Sequence, residues 1–448
     1  MKLHIISLIM RAEVNNFKGG KILSNEKERL QTGNDYATER VPLNERKSIA
    51  SVALVASGFC IAMSGLFTGA AMAAGLNVKQ ALIAAFMGNL ILSIYGGAIG
   101  AAGAKEGLSS SRLAIYSFGS EGFKIVSLVL ALTMGGWFSV QSGFFGNTIN
   151  AMFPNAGFIT QPNFAGFWGG MLMLLTAYFG YKGLDALSKV AVPAILILGT
   201  YGAFAAMKSA GGLAGTLAII PHGETTISAG IVMVVGSFAA GASAQADITR
   251  YSKDAKAAWI ATIVGYMAAN TFIIMAGYLT TLSTGIGDLP KAMLQLGLGL
   301  PALLVLILAQ WTTNDNNLYT SSLGLANIFK MKKSKITLAI GIIGSILGGL
   351  GVADYFTGWL NILGIGVPPM AGIIMADYYF VRKQNYKFKD ESQIPKWNLN
   401  ALIAWGLGSV IGFTFEFGIA SLNSLFASLI IYVILMKIRP INMAQEDI

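Results

Sequence analysis

Charge, cysteine and histidine are all scarce in this sequence, and each scarcity argues against a kind of chemistry. Only 12% of the 448 residues are charged, against 54% that are hydrophobic. That is more apolar surface than a water-soluble core would hide, so the chain needs lipid as its solvent. The single cysteine, Cys60, lies inside an apolar run; no disulfide framework is possible, and packing is its expected role. The two histidines, His4 and His222, are too few to supply the usual ligands of a metal centre or the usual general base. Beyond residues 1–48 the longest polar stretches are about a loop in length, so there is no room for a water-soluble catalytic domain, and function is expected to reside in the membrane.

What is abundant is apolar sequence in membrane-length runs. Apolar spans fall at roughly 49–74, 81–104, 122–147, 163–182, 187–207, 226–249, 257–283, 295–320, 336–355, 357–380, 399–418 and 421–437, each near the ~20 residues that a bilayer requires. The expected fold is therefore an all-α integral membrane protein of about twelve transmembrane helices. Glycine is plentiful at 54 residues, as suits helices that must approach closely without a hydrophobic force between them.

The net charge of +10 looks like a nucleic-acid footprint until its distribution is considered. With the amino terminus in the cytosol, all but Lys79, Lys208 and Lys291 of the 31 Lys and Arg residues fall on the cytosolic side. The basic charge is a topology signal, and it puts both termini in the cytosol of a cell whose inner membrane the chain crosses. Nucleic acid is not an expected partner.

Residues 1–48 form a polar amino-terminal tail. The apolar patch Ile5–Met10 within it is too short to span and lacks a small-residue cleavage site after it. The transporter domain is expected over 49–438, with a short cytosolic tail at 439–448. Two spans have polar or glycine-rich centres, Gly58–Gly65 in the first and Gly236–Ser243 in the sixth. Interrupted helices five spans apart point to a five-plus-five inverted repeat, 49–207 and 226–380, with the helices at 399–437 appended. The alternative for either span alone is that its glycines are packing devices.

The eighth span passes from Leu303–Leu308 straight into the polar run Gln310–Tyr319. Polar side chains at this density are expensive in a bilayer and are generally kept where they line a pathway. The hydroxyls of Thr312 and Thr313, with carbonyls from an unwound neighbouring helix, would form the oxygen-only set that suits a hard monovalent cation. The competing explanation is that the run merely solvates a cytosolic helix end.

The run Trp311-Thr312-Thr313-Asn314-Asp315-Asn316 resembles the signature of the nucleobase:cation symporter (purine-cytosine permease) family, whose members carry cytosine, hydantoin, allantoin and purines. Gly103–Leu108, Ser117–Gly119, Val235–Phe238 with Ala246-Asp247, and Ala376–Tyr378 resemble it too, and the similarity runs from about residue 36 to 437. The resemblance implies a nucleobase between spans 1, 3, 6 and 8, and a cation between spans 1 and 8. It makes Trp137 and Phe238 aromatic plates for a flat ring, where stacking is worth ~1–3 kcal/mol per base. For the cation it implies main-chain oxygens near Ala62 and Ala309 with the Thr312 and Thr313 hydroxyls, sodium being favoured over a proton. Asp315 and Asp247 are the ionisable alternatives, with helix capping or pairing with Arg250 the expected role of Asp247.

The chain also departs from the pattern. Met134 stands where cytosine permeases carry a substrate-binding Gln, and Ala240 and Ala309 stand where they carry polar side chains. Gln141 lies four residues after Trp137, on the same helical face, an arrangement resembling the hydantoin-transporting branch. The ring edge is then expected to be read by Gln141 with Asn314 or Asn317. The expected function is cation-coupled import of cytosine or a related heterocycle, with hydantoin, allantoin or purine as alternatives. An amino-acid symporter of the same fold is the more distant rival. A channel would need a continuous pore of carbonyls or charges, and a membrane enzyme would need a nucleophile and base or clustered ligands; neither is apparent.

Overall fold

The computed structural model describes residue 36 and residues 39–179, 182–221, 223–386 and 394–441, apart from the side chains of 179–190 and 327. The expectations for residues 1–35, including the Ile5–Met10 patch, and for 442–448 fall outside this range. The described residues form helices throughout and no strand, with one isolated bridge between Lys47 and Ser252.

Each of the twelve apolar windows contains helix among its described residues. Span 1 is a pair, Ile49–Cys60 and Met63–Met72, bent by 53° at its break. Span 2 is Val78–Glu106, span 3 Phe123–Met152, span 4 Pro162–Phe179 and span 5 Lys182–Ser209. Span 6 is Ile227–Ser243 with the short Ala246–Thr249 beyond it, span 7 Ala255–Thr284 and span 8 Gly299–Phe329. Spans 9 to 12 are Lys333–Gly349, Val352–Val381, Leu399–Thr414 and Ala420–Ile438. Local chemistry sets these boundaries. Asn77 and Gln80 form a reciprocal capping box at the start of span 2, and Gly107, in the left-handed region at φ 68°, ends it. Thr226, Asp254 and Asn398 cap spans 6, 7 and 11 through main-chain N–H groups three residues on.

Glycine decides which helices pack closest. A Cβ at Gly69 would collide with the Ile274 carbonyl, and one at Gly277 with the Leu66 carbonyl, so spans 1 and 7 meet backbone to backbone. Gly236 stands in the same relation to Leu360, and Gly364 to Val232, which fastens span 10 to span 6. Spans 1, 2, 6 and 7 form one packed group and spans 3, 4, 8 and 9 another.

The amino-terminal tail is not featureless where it is described. Val41 is buried, Arg40 donates to the Glu106 carboxylate at 2.9 Å, and Arg46 donates to the Ala104 carbonyl. Lys47 N donates to Tyr251 O at 2.7 Å and the Arg40 guanidinium also reaches Tyr386 O. The segment before span 1 therefore ties together the loops after spans 2, 6 and 10, all on the face where the lysines and arginines concentrate.

Gly69→Leu or Gly277→Leu is expected to destabilise the fold by ~1–3 kcal/mol through overpacking. Gly406→Leu, where a Cβ meets nothing within 4 Å, should leave it nearly unchanged. Thermal melting of the three purified variants in detergent checks the contrast.

Candidate substrate and cation site

The span 1 break follows from its sequence. Ile61 (φ −81°, ψ 76°) and the extended Ala62 (φ −124°, ψ 155°) separate two helical halves. Here the helical ladder lapses, with Ala62 N donating to Cys60 O at 3.0 Å instead of continuing to Gly58. In span 6 the helix is kinked at Phe238 (φ −133°, ψ 15°). Ser237 Oγ takes up the Val234 carbonyl at 2.7 Å, and the Tyr95 hydroxyl and Ser243 Oγ donate to the Ala239 carbonyl at 3.1 and 2.9 Å. The two interruptions expected from the glycine-rich centres are thus present at corresponding points of the two spans.

Between them lies a cavity of about 490 Å³. Span 1 contributes Gly58, Phe59, Ile61, Ala62 and Ser64; span 3 Met134, Trp137 and Gln141; span 6 Ser237, Phe238, Ala240 and Gly241. Span 8 adds Thr312, Thr313, Asn316, Asn317 and Thr320, and span 5 adds Ala191, Val192 and Ile195. The Trp137 and Phe238 rings are held by edge contacts, Trp137 against Phe356 and Trp359, Phe238 against Phe59 and Tyr266, with ring centroids 5.6–6.4 Å apart. Such edge-to-face packing fixes each ring's plane.

Two buried polar atoms at the cavity have no hydrogen-bond partner: Gln141 Oε1, an acceptor, and Asn317 Nδ2, a donor. A buried orphan of this kind costs ~1–3 kcal/mol unless something pairs with it. The other polar side chains that line the cavity are Ser64, Ser237, Thr312, Thr313, Asn316 and Thr320.

Span 8 continues nine residues past Thr320, to Phe329, which puts the polar run inside the helix and not at its end. Helical periodicity then divides the run. Thr312, Thr313, Asn316, Asn317 and Thr320 face the cavity, whereas Trp311, Asn314 and Asp315 face spans 3 and 4. Asn314 is accordingly not a cavity residue: its Nδ2 donates to Phe138 O at 3.0 Å and lies 3.2 Å from both Ser142 Oγ and Met173 Sδ. The expectation that it reads substrate is corrected by its position about 100° around the helix from Thr313. Asp315 is buried against span 4, accepting from Thr176 Oγ1 at 3.0 and 3.1 Å. Asp247 caps the helix Ser110–Phe118, accepting from Ser110 N at 2.8 Å, the capping role expected of it.

Of the expected cation groups, Ala62, Thr312 and Thr313 line the cavity, while Ala309 lies beneath its wall. Both threonine hydroxyls donate to the Ala309 carbonyl, at 3.0 and 2.8 Å. Their protons are thereby engaged and their lone pairs left over. The donor set is made of hydroxyl and main-chain oxygens, without thiolate or imidazole, and it fits a hard monovalent ion. Sequence reasoning missed Phe59 and the span 5 residues. Phe59 was findable, since it lies in the interrupted stretch; Ala191, Val192 and Ile195 carry no chemical signal.

The cavity is closed on one side. Phe67 stacks on Phe144 with centroids 3.7 Å apart and 9° between planes, and Phe356 meets Phe144 edge-on at 5.0 Å. The exposed residues that line the cavity, Phe59, Asn316 and Thr320, all lie on the other side of the breaks, toward the lysine-rich face.

The family described as "Permease for cytosine/purines, uracil, thiamine, allantoin" matches residues 44–433. The chain belongs to this permease family. The permease is 34% identical to cytosine permease of Escherichia coli K12 over 417 residues, which is 91% of this chain and 96% of that one. Its fold matches Mhp1 in an inward-facing conformation with a TM-score of 0.77 at 21% identity, covering 89% of this chain and 92% of that chain. It also matches Mhp1, described as a nucleobase-cation-symport-1 family transporter, closed with bromovinylhydantoin bound (TM-score 0.75, 19% identity, 92% and 97% coverage). These relatives are permeases and not enzymes. The permease shares the Mhp1 fold over about nine-tenths of its length, and its own cavity lies between the broken span 1, span 3, the kinked span 6 and span 8.

Asn314→Ala should therefore act on stability, lowering it by ~1–3 kcal/mol through lost hydrogen bonds to spans 3 and 4, with little change in ligand affinity. Melting and ligand titration on the same preparation separate the two effects.

Proposed function

We propose that this permease is a cation-coupled symporter that imports cytosine or a closely related nucleobase-like heterocycle across the cytoplasmic membrane by alternating access. The observation that carries the proposal is the unpaired acceptor of Gln141 and unpaired donor of Asn317 in a cavity walled by Trp137 and Phe238. A flat ring stacked on the aromatics would present its N–H to Gln141 and its carbonyl to Asn317. The relatives named for cytosine transport support a base as cargo.

The two helix interruptions support repeats at 49–207 and 226–380, with the helices at 399–437 outside them. The lysine-rich face is the cytosolic one by the positive-inside rule, so a cavity open toward it is the inward-facing state, with the Phe67–Phe144–Phe356 cluster as the outer closure. Sodium at Ala62, Ala309, Thr312 and Thr313 would join span 1 to span 8 and raise affinity for the base by linkage. Rocking of spans 1, 2, 6 and 7 against spans 3, 4, 8 and 9 would then alternate access. Met134 and Ala240 in the cavity wall, with Gln141 beyond Trp137, favour hydantoin or allantoin as the second reading.

Uptake of radiolabelled cytosine, hydantoin, allantoin and purines into proteoliposomes, with and without a sodium gradient, tests the proposal. Preferential uptake of amino acids would sink it. Gln141→Ala should lower affinity roughly ten- to a hundred-fold, whereas Met134→Gln should alter the native ligand little and favour cytosine. An unchanged Kd for Gln141→Ala would make that residue interhelical glue. Thr312→Ala with Thr313→Ala should weaken sodium stimulation more than base selectivity; sodium dependence surviving intact in the double variant would remove these hydroxyls from the ion site, and a response to pH alone would favour protons.

A further inference from the structure

A second cavity, about 650 Å³, lies outside the substrate site, between spans 3, 8 and 9 on one side and spans 10 and 11 on the other. Its walls are almost wholly apolar, and it opens sideways. Leu132, Ile343 and Ile362 line it and are 57%, 59% and 55% exposed; in a membrane-spanning chain those surfaces face acyl chains and not water. Gly135 and Gly136 form part of its floor, and the Trp359 indole rests against Gly136 with its edge toward Trp137. The crevice is therefore one residue behind the aromatic plate of the substrate site.

Charge at its rim identifies the occupant. The wall elements end toward the lysine-rich face, where Lys124 precedes Val129 of span 3, Lys330 follows Leu325 of span 8, and Lys332, Lys333 and Lys335 precede Ile336 of span 9. Glu121 is the neighbouring acid and is paired with Lys124, whose ammonium holds that carboxyl below its ordinary range. Lys333 lies over the Tyr319 ring at 3.2 Å, while Lys330, Lys332 and Lys335 are exposed. An apolar slot at membrane depth beneath a cluster of lysines matches a molecule with a hydrocarbon tail and an anionic head.

We propose that this crevice binds the acyl chain of an anionic glycerophospholipid whose headgroup lies against the span 8–9 lysines. Its location gives the lipid a consequence. Span 10 is fastened to span 6 through Gly236 and Gly364, so the crevice is a seam between span 10 and the group made by spans 3, 8 and 9. A chain lodged there fills the seam and steadies Trp359 against Gly136, so lipid occupancy alters the substrate site without touching it. The inference does not depend on which base is carried.

Tryptophan quenching tests it. The full-length permease in phosphatidylcholine nanodiscs is titrated with brominated-acyl phosphatidylglycerol or brominated-acyl phosphatidylcholine, since Trp359 and Trp405 both line the crevice. A saturable component should appear at roughly fivefold lower mole fraction for the anionic lipid, the preference that about one well-placed lysine supplies. It should vanish in Trp359→Phe/Trp405→Phe and in Gly366→Leu/Ala339→Phe, which fills the crevice. A Cβ at Gly366 meets nothing within 4 Å, so that variant should fold; Ala339→Phe alone repeats the test if it does not. Lys332→Gln/Lys335→Gln should erase the anionic preference and leave quenching at high mole fraction. Identical curves for the two lipids, or a component that survives filling of the crevice, would overturn the proposal.

Discussion

In a bilayer every main-chain N–H and C=O has to find its partner within the protein, and this constraint decides where the permease can interrupt a helix. The breaks at Ile61–Ala62 and Phe238 are tolerated because both lie against a cavity and because neighbouring side chains take up what the ladder releases. Ser237 and Ser243 accommodate span 6 from within, and Tyr95 reaches across from span 2. Span 1 has fewer substitutes, since the Ala62 N–H turns back to Cys60 and its side chain supplies no cap. The Ala62 carbonyl accepts from Gly65 N at 3.0 Å as the second half of the span begins, and Ala62 lines the same cavity as Thr312 and Thr313.

Glycine supplies the complementary property, rigidity. Where Gly69 and Gly277 bring spans 1 and 7 to backbone contact, and Gly236 and Gly364 do the same for spans 6 and 10, no side chain is left to repack when the helices are pushed. The proposed rocking would then fall at the boundaries between the helix groups. The cavity and the lateral crevice both lie on such boundaries. Rocking there would couple what binds in either to the relative position of the same helix groups.

The twelve apolar windows, the two interruptions and the clustering of positive charge were all legible in the sequence, because each is a one-dimensional consequence of the bilayer. Trp137, Gln141, Phe238, Asn317, Ala62, Thr312 and Thr313, named for the site on the family resemblance, line the cavity. Asn314 was misread because it shares a motif with Thr313 and Asn316 but not a helical face; the motif orders residues along the chain, whereas the cavity selects them by angle. Asp315, in the same motif, is buried against span 4 for the same reason. The contribution of span 5 to the cavity was illegible for a different reason: Ala191, Val192 and Ile195 wall it with side chains that would be equally at home facing lipid. The docking of Arg40 and Arg46 on the loops was hidden too, since it rests on contacts with residues 58 to 346 positions away.

Most residues that line the cavity are apolar, and in the proposed site that would limit selectivity. In the proposed pose Gln141 Oε1 and Asn317 Nδ2 would together ask a ligand for an N–H beside a C=O. That is the lactam edge, and cytosine, uracil, hydantoin and allantoin all possess one. In that pose affinity for a lactam would not separate them, since each can pair both orphan atoms. Discrimination would then come from the remainder of the ring, for which Met134 and Ala240 supply apolar lining. An apolar wall penalises any ligand that buries an exocyclic donor against it, by the ~1–3 kcal/mol of an unmade hydrogen bond. The exocyclic amine of cytosine carries that penalty if it points toward Met134 and escapes it if it points toward Asn316, which is exposed at the cavity mouth. On the proposed reading, the choice of cargo would turn on the orientation of one ring in its plane.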